Sequence, residues 1–164
     1  MKEIKLGTCF SIPLENEEYG FGYVNYEGDF LMVNIFDFKS KSSKDIKNSF
    51  DKPLLITDWL IDWVVFSNVK SSLYPKWILH RNIILENYKK PQCHYVIFGS
   101  EFDKKCLNFI TDEVHPASHD EIAKYPQFST YHVDYYATFV RAKYRGVNFN
   151  KVIFDDGKND YVVL

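Results

Sequence analysis

The sequence predicts an α+β fold that is mainly β: a curved antiparallel sheet or small barrel with one clear C-terminal helix. Three observations predict it. Apolar side chains alternate from Ile4 to Leu14 and aromatics again from Tyr19 to Tyr23, the period of a strand. Aromatic residues make up 18% of the chain, and Tyr and Phe favour strands. Only residues 134–145 show a clear helical repeat bounded by capping residues.

Taking the elements in order, Ile4, Leu6, Thr8, Phe10, Ile12 and Leu14 point one way and Lys5, Gly7, Cys9, Ser11 and Pro13 the other, which predicts a half-buried strand. Pro13 donates no ladder hydrogen bond and belongs near its end or on an edge. After the polar turn Glu15–Glu18, the run Tyr19-Gly20-Phe21-Gly22-Tyr23-Val24 places glycines between aromatics, the mark of a bulge or sharp bend. Glu27-Gly28-Asp29 turns into a third strand, Phe30 to Phe38. Residues 3–38 therefore read as a three-stranded antiparallel meander. The polar stretch Lys39 to Lys52 reads as a surface loop or a short helical turn.

Pro53 to Thr57 predicts a strand, and Asp58 to Phe66 is ambiguous between strand and short helix. Trp77 to His80 and His94 to Phe98 read as later strands, with Leu107 to Ile110 able to pair with the second. In the helix Asp134 to Arg145, Asp134 reads as the N-cap and Gly146 as the C′ residue. Val133, Tyr136, Ala137, Val140 and Tyr144 form its apolar stripe. Lys151 to Phe154 and Tyr161 to Leu164, around a turn at Asp155-Asp156-Gly157, predict a closing hairpin.

With 164 residues, the chain is expected to be one domain, residues 1–164. A domain near this size buries roughly 70% of its unfolded surface. The net charge is −2, from 20 basic and 22 acidic residues, so the basic excess of a nucleic-acid binder is missing. Three cysteines, Cys9, Cys93 and Cys106, fall at irregular spacing and read as packed thiols in a reducing compartment, not a disulfide framework. The opening residues carry no apolar core of signal-peptide length. The apolar stretch around Leu60 to Phe66 is broken by Asp62 and too short to cross a bilayer. The expectation is a cytoplasmic protein with no membrane partner.

The run Gly7-Thr8-Cys9-Phe10-Ser11-Ile12-Pro13-Leu14 followed by Tyr19-Gly20-Phe21-Gly22-Tyr23-Val24 resembles the opening motif of the Immunity protein 26 family of bacterial polymorphic-toxin systems. A weaker likeness continues from Pro53 to Trp77. Where members of that family commonly carry Arg after the second glycine, this chain has Tyr23. The resemblance implies a mainly β protein that neutralises a cognate toxin by binding it, without catalytic residues or a cofactor.

The residues that carry chemistry are fewer. His115 and His119 are four apart, with His132 further on. On a helix that spacing puts two imidazoles on one face, as metal sites use. The run reads equally as a loop leading into a short helix capped by Ser118. These three histidines carry the alternative reading, a small metal-dependent hydrolase or ligand-binding domain. No nucleophile elbow, phosphate loop or diagnostic carboxylate pair is present. For a binding protein, Asp58, Trp59, Asp62 and Trp63 are the candidate toxin contacts. If helical, they set two tryptophans on one face and two carboxylates on another, and aromatic anchors beside carboxylates suit a basic partner. Against this stands the reading of both tryptophans as core and both aspartates as caps or solvated groups.

Overall fold

Five strands form the larger sheet: β1 (Thr8–Pro13), β2 (Tyr19–Glu27), β3 (Leu31–Ser40), β4 (Leu54–Ile61) and β5 (Ile78–Ile84), in the antiparallel order β4-β3-β2-β1-β5. The computed structural model describes residues 4–128, 131, 133–147, 152–155 and 160–163. A second antiparallel sheet follows: β6 (Tyr95–Ser100), β7 (Asp103–Asn108) and β8 (Glu113–Pro116). Two helices come next, α1 (His119–Lys124) and α2 (Val133–Tyr144), and then the hairpin of β9 (Val152–Asp155) with β10 (Asp160–Val163). The predicted α+β, mainly β class with one clear C-terminal helix is what forms. Of the two expected forms of the sheet, the open one is built, with β4 and β5 at its edges.

The meander is as the alternation predicts, with β1 pairing β2 and β2 pairing β3. The register of β2 on β3 shifts between Gly20 and Gly22, where the glycine-aromatic alternation marks a bulge, and again between Val24 and Tyr26, beyond that run. Burial departs from the prediction. β1 is buried on both faces, not half-buried. Phe10 and Ile12 face a core shared with Val24, Val33, Ile35 and Trp77, whereas Cys9 faces Phe21, Tyr23, Phe36 and Ile46. The second face is closed by the 3-10 turn Asp45–Ser49, whose Ile46 is fully buried. Lys39 to Lys52 thus contains the short helical turn, and its one isoleucine covers the sheet.

Helix α2 covers the first face. It packs on β4 and on the β9–β10 hairpin, so both its sides are buried, including Asp134 and Arg141. Asp134 is not the cap the sequence suggests. It lies in the first turn, where its carboxylate accepts from the Ser72 hydroxyl at 2.7 Å and the Leu73 N–H at 3.0 Å and pins the loop before β5. The C-terminus is as predicted. Gly146 has φ 80°, its N–H donates to Lys143 O, and Val147 N–H reaches back to Ala142 O, the six-to-one closure of a Schellman motif. The turn expected at Asp155-Asp156-Gly157 lies partly outside the described residues. The small sheet packs Val96 and Leu107 against Phe30, Met32 and Leu60.

Candidate functional site

The run Asp58 to Phe66 divides at Ile61. Residues up to Ile61 continue β4, and Asp62 caps a 3-10 turn, Trp63–Phe66, by accepting from the Val64 N–H at 2.9 Å. Of the two forms the sequence leaves open, the strand is what forms up to Ile61, so the two-faced helical arrangement is not built. Its acid–tryptophan period is broken at Asp58, which takes φ 50° inside the strand. Ile56 pairs with Ile35 and Trp59 with Val33, so Thr57 and Asp58 together oppose Asn34. This is a bulge with Asp in the left-handed position, a place Asp tolerates better than most side chains.

The bulge organises a buried polar network. The Asp58 N–H donates to Asn34 Oδ1 at 2.8 Å, and Asp58 Oδ1 accepts from Asn25 Nδ2 at 2.7 Å. Asp58 Oδ2 accepts from the Gln92 N–H at 3.0 Å. Asn34 Nδ2 donates to the Tyr23 hydroxyl at 2.8 Å, which also receives the Lys89 N–H at 3.3 Å. Asn25 and Asn34 are each 1% exposed. Through Asp58 and Tyr23 the network ties the loop after β5 to the centre of the large sheet.

Beside this bulge lies a cleft of about 450 Å³ between the outermost strand β4 and the start of α2. Trp59, Tyr131, Tyr135, Tyr136 and Phe139 line it, with Asp58 at its border. The rings support one another: Tyr131 stacks on Tyr135 at 4.0 Å, Tyr135 lies 4.1 Å from Phe139, and Trp59 meets Tyr136 edge-on at 5.9 Å. Tyr131 remains 42% exposed. Burial raises the Tyr135 hydroxyl and pushes that of Tyr136 up to about 12, so both stay neutral donors at physiological pH. Trp63 packs against the main core, which Trp59 also touches from the cleft side. Of the four candidate contacts, Trp59 lines the cleft, Asp58 shapes it, Asp62 caps and Trp63 fills. A second hollow of about 280 Å³, lined by Phe30, Val96, Phe98, Leu107, Val114 and Phe128, lies on the small sheet.

The histidines are dispersed. His115 stands on β8 and His119 opens α1, exposed to solvent. His132 lies outside the described residues. Ser118 caps α1 as the sequence suggests: its hydroxyl accepts from the Glu121 N–H, and Glu121 returns the contact to the Ser118 N–H at 2.9 Å. That backbone hydrogen bond, and next the His115 ring at 2.8 Å, holds the Glu121 carboxyl below its ordinary value. His115, Glu121 and Cys106 bring one donor atom each to within 4.8 Å of one another. Sequence spacing singled out His115 but missed its partners, which come from two other elements. Cys9 and Cys106 are buried free thiols. Burial pushes Cys9 up to about 12 and raises Cys106, where the charges of Glu121 and Cys93 add to the effect. Neither is poised as a nucleophile.

The family model for Immunity protein 26 matches residues 5–97, more than half of the chain. The chain belongs to the Immunity protein 26 family. None of the curated proteins and none of the solved structures compared matches it. The matched span holds the whole five-stranded sheet and the Asp58 network. Cys106, His115, Glu121 and α2 lie beyond it.

The motif that carries the resemblance builds the fold. A Cβ on Gly20 would stand 2.6 Å from the Tyr144 hydroxyl oxygen, and that hydroxyl donates to Phe36 O at 2.7 Å. A Cβ on Gly22 would stand 2.5 Å from Asn34 O and 2.6 Å from the Phe10 ring. Gly20 lets Tyr144 of α2 approach the sheet, and Gly22 leaves room for the Phe10 ring across the β1–β2 pair. In this member of the Immunity protein 26 family, Tyr23 supplies the hydroxyl that joins the polar network.

Proposed function

We propose that this protein is a cytoplasmic antidote: a single domain, residues 1–164, that binds and neutralises a cognate toxin domain encoded beside it. Membership of an immunity-protein family carries the reading. No turnover is required, only a preformed complementary surface, and the interface of a stable complex buries about 1,600 Å² in total.

The toxin-binding surface is centred on the aromatic cleft beside β4. Trp59 and Tyr131 are its anchors, since interface energy concentrates in clustered Trp and Tyr side chains. Asp58 and Asp62 hold that surface in shape, and Trp63 supports it from the core. The occupant is an extended segment of the toxin that runs along the edge strand β4 and lays an apolar side chain into the cleft. Edge-strand addition supplies main-chain hydrogen bonds, and pockets for alternate side chains supply selectivity. Among the described residues no helix is long and apolar enough to cross a membrane, which fits a toxin met in solution.

The test is co-purification with the C-terminal domain of the neighbouring toxin. A tight one-to-one complex is expected. A neighbouring gene that encodes no toxin, with no complex formed, would remove the proposal.

A further inference from the structure

We propose that Cys106, His115 and Glu121 form a zinc site that fastens β7, β8 and α1 to one another. The site is separate from the aromatic cleft and stands whether or not the toxin reading does.

The geometry is close to what an ion needs. The three donor atoms lie within 4.8 Å of one another. Zinc bonds of about 2.3 Å to sulfur and roughly 2.0–2.2 Å to nitrogen and oxygen place tetrahedral ligands about 3.3–3.7 Å apart. Small side-chain rotations therefore bring all three donors onto one ion. The β7–β8 register pairs Cys106 directly with His115, so their side chains share one face of the small sheet. Glu121 approaches from α1, and its carboxylate is already held: one oxygen accepts from the Ser118 N–H at 2.9 Å while the other meets His115 Nε2 at 2.8 Å. A partner that fixes a ligand's orientation is what metal sites place in their outer shell. Binding exchanges the His115–Glu121 hydrogen bond for two bonds to the ion, leaves the imidazole proton on Nδ1 instead of Nε2, and sends the Cys106 thiol proton to solvent. Water completes the tetrahedron, because the His115 side chain is 48% exposed.

Packing gives an independent argument. β8 is exposed along its whole length, and α1 has no buried residue. Apolar contact does little to hold these two elements, yet each contributes one donor. A metal supplies cohesion where a core is too thin. The thiolate–imidazole–carboxylate set favours zinc over magnesium or calcium, which prefer oxygen donors alone.

The test uses the untagged full chain. It is incubated with zinc, freed of excess by gel filtration and assayed by elemental analysis, with cobalt substitution as the spectroscopic readout. One zinc per chain is expected, together with a near-ultraviolet thiolate–cobalt band that Cys106→Ser abolishes. His115→Ala and Glu121→Gln change exposed or half-exposed side chains and leave the fold intact. Each lowers zinc affinity by about tenfold or more, and His115→Ala removes the rise in melting temperature that zinc gives the wild type. Failure to retain zinc at micromolar concentrations overturns the proposal. So does zinc uptake that none of the three substitutions changes.

Discussion

Replacing Asp58 with Ala tests whether the bulge in β4 is a structural node. The substitution removes the acceptor of Asn25 Nδ2, 2.7 Å away on a side chain 1% exposed. Asn25 Oδ1 is already a buried oxygen without a hydrogen-bond partner among the described residues, so losing the Nδ2 acceptor leaves that amide unpaired at both ends. Leaving a buried donor unpaired costs about 1–3 kcal/mol. Gln92 is exposed, and water replaces the Asp58 oxygen there at little cost. Alanine must also adopt φ 50°, which costs about 1 kcal/mol more than a residue that tolerates the left-handed region. The total is about 3 kcal/mol out of the roughly 5–15 kcal/mol that stabilises a domain. With a urea slope of about 2 kcal/mol/M, the unfolding midpoint falls by about 1.5 M. Asp58→Gly, relieved of the backbone cost, should recover about 1 kcal/mol of that. Asp58→Asn, which keeps an acceptor and tolerates the conformation, should lose least. Urea titration followed by tryptophan fluorescence measures all three. A loss below about 1 kcal/mol for Asp58→Ala, or no difference between Ala and Gly, would refute the reasoning.

Three further outcomes are expected. Gly22→Ala sets a Cβ against Asn34 O and the Phe10 ring and should cost about 3 kcal/mol or more, whereas Gly146→Ala, with open space around it and φ 80°, should cost only about 1 kcal/mol by the same denaturation assay. His80, hydrogen-bonded to the Ser11 hydroxyl at 2.6 Å, has its pKa lowered by burial; the stability of its neutral form is present above the unfolded value of about 6.5 and is lost as the pH falls through that value towards the folded one, a slope that His80→Gln should flatten in melts between neutral and mildly acidic pH. Tyr131→Ala should lower stability only by the stack on Tyr135, about 1 kcal/mol, since that ring is 42% exposed, yet weaken toxin binding by about 2 kcal/mol, roughly thirtyfold in Kd, by calorimetry.

The parts of the fold legible in the sequence are those whose causes are local. Period-two alternation places β1 to β3, the glycines mark the irregular pairing of β2, and Gly146 marks the end of α2. The strand begun at Pro53 to Thr57 is legible too, but the run Asp58 to Phe66 is not, because a left-handed Asp58 and a capping Asp62 interrupt any single period. Asp134 misleads for a related reason: a good capping residue at a helix start serves instead to hold Ser72 and Leu73, sixty residues away. Both-face burial of β1 depends on Ile46, with Phe50 beside it, the two apolar side chains of an otherwise polar loop. The sites depend on distant segments. The cleft joins Trp59 to Tyr131 and Tyr135, and the three-donor cluster joins Cys106, His115 and Glu121 from three elements. The spacing of His115 and His119 suggests one helix face, but Pro116 ends β8 and Ser118 starts α1 between them.

The most direct test of the central claim is the growth of cells that express the neighbouring toxin domain together with this protein. The account predicts rescue by the wild type, loss of rescue with Tyr131→Ala, and full rescue with Val114→Asp, which alters the hollow on the small sheet instead. Growth arrest despite the wild-type protein would contradict it, as would rescue that fails with Val114→Asp and survives Tyr131→Ala.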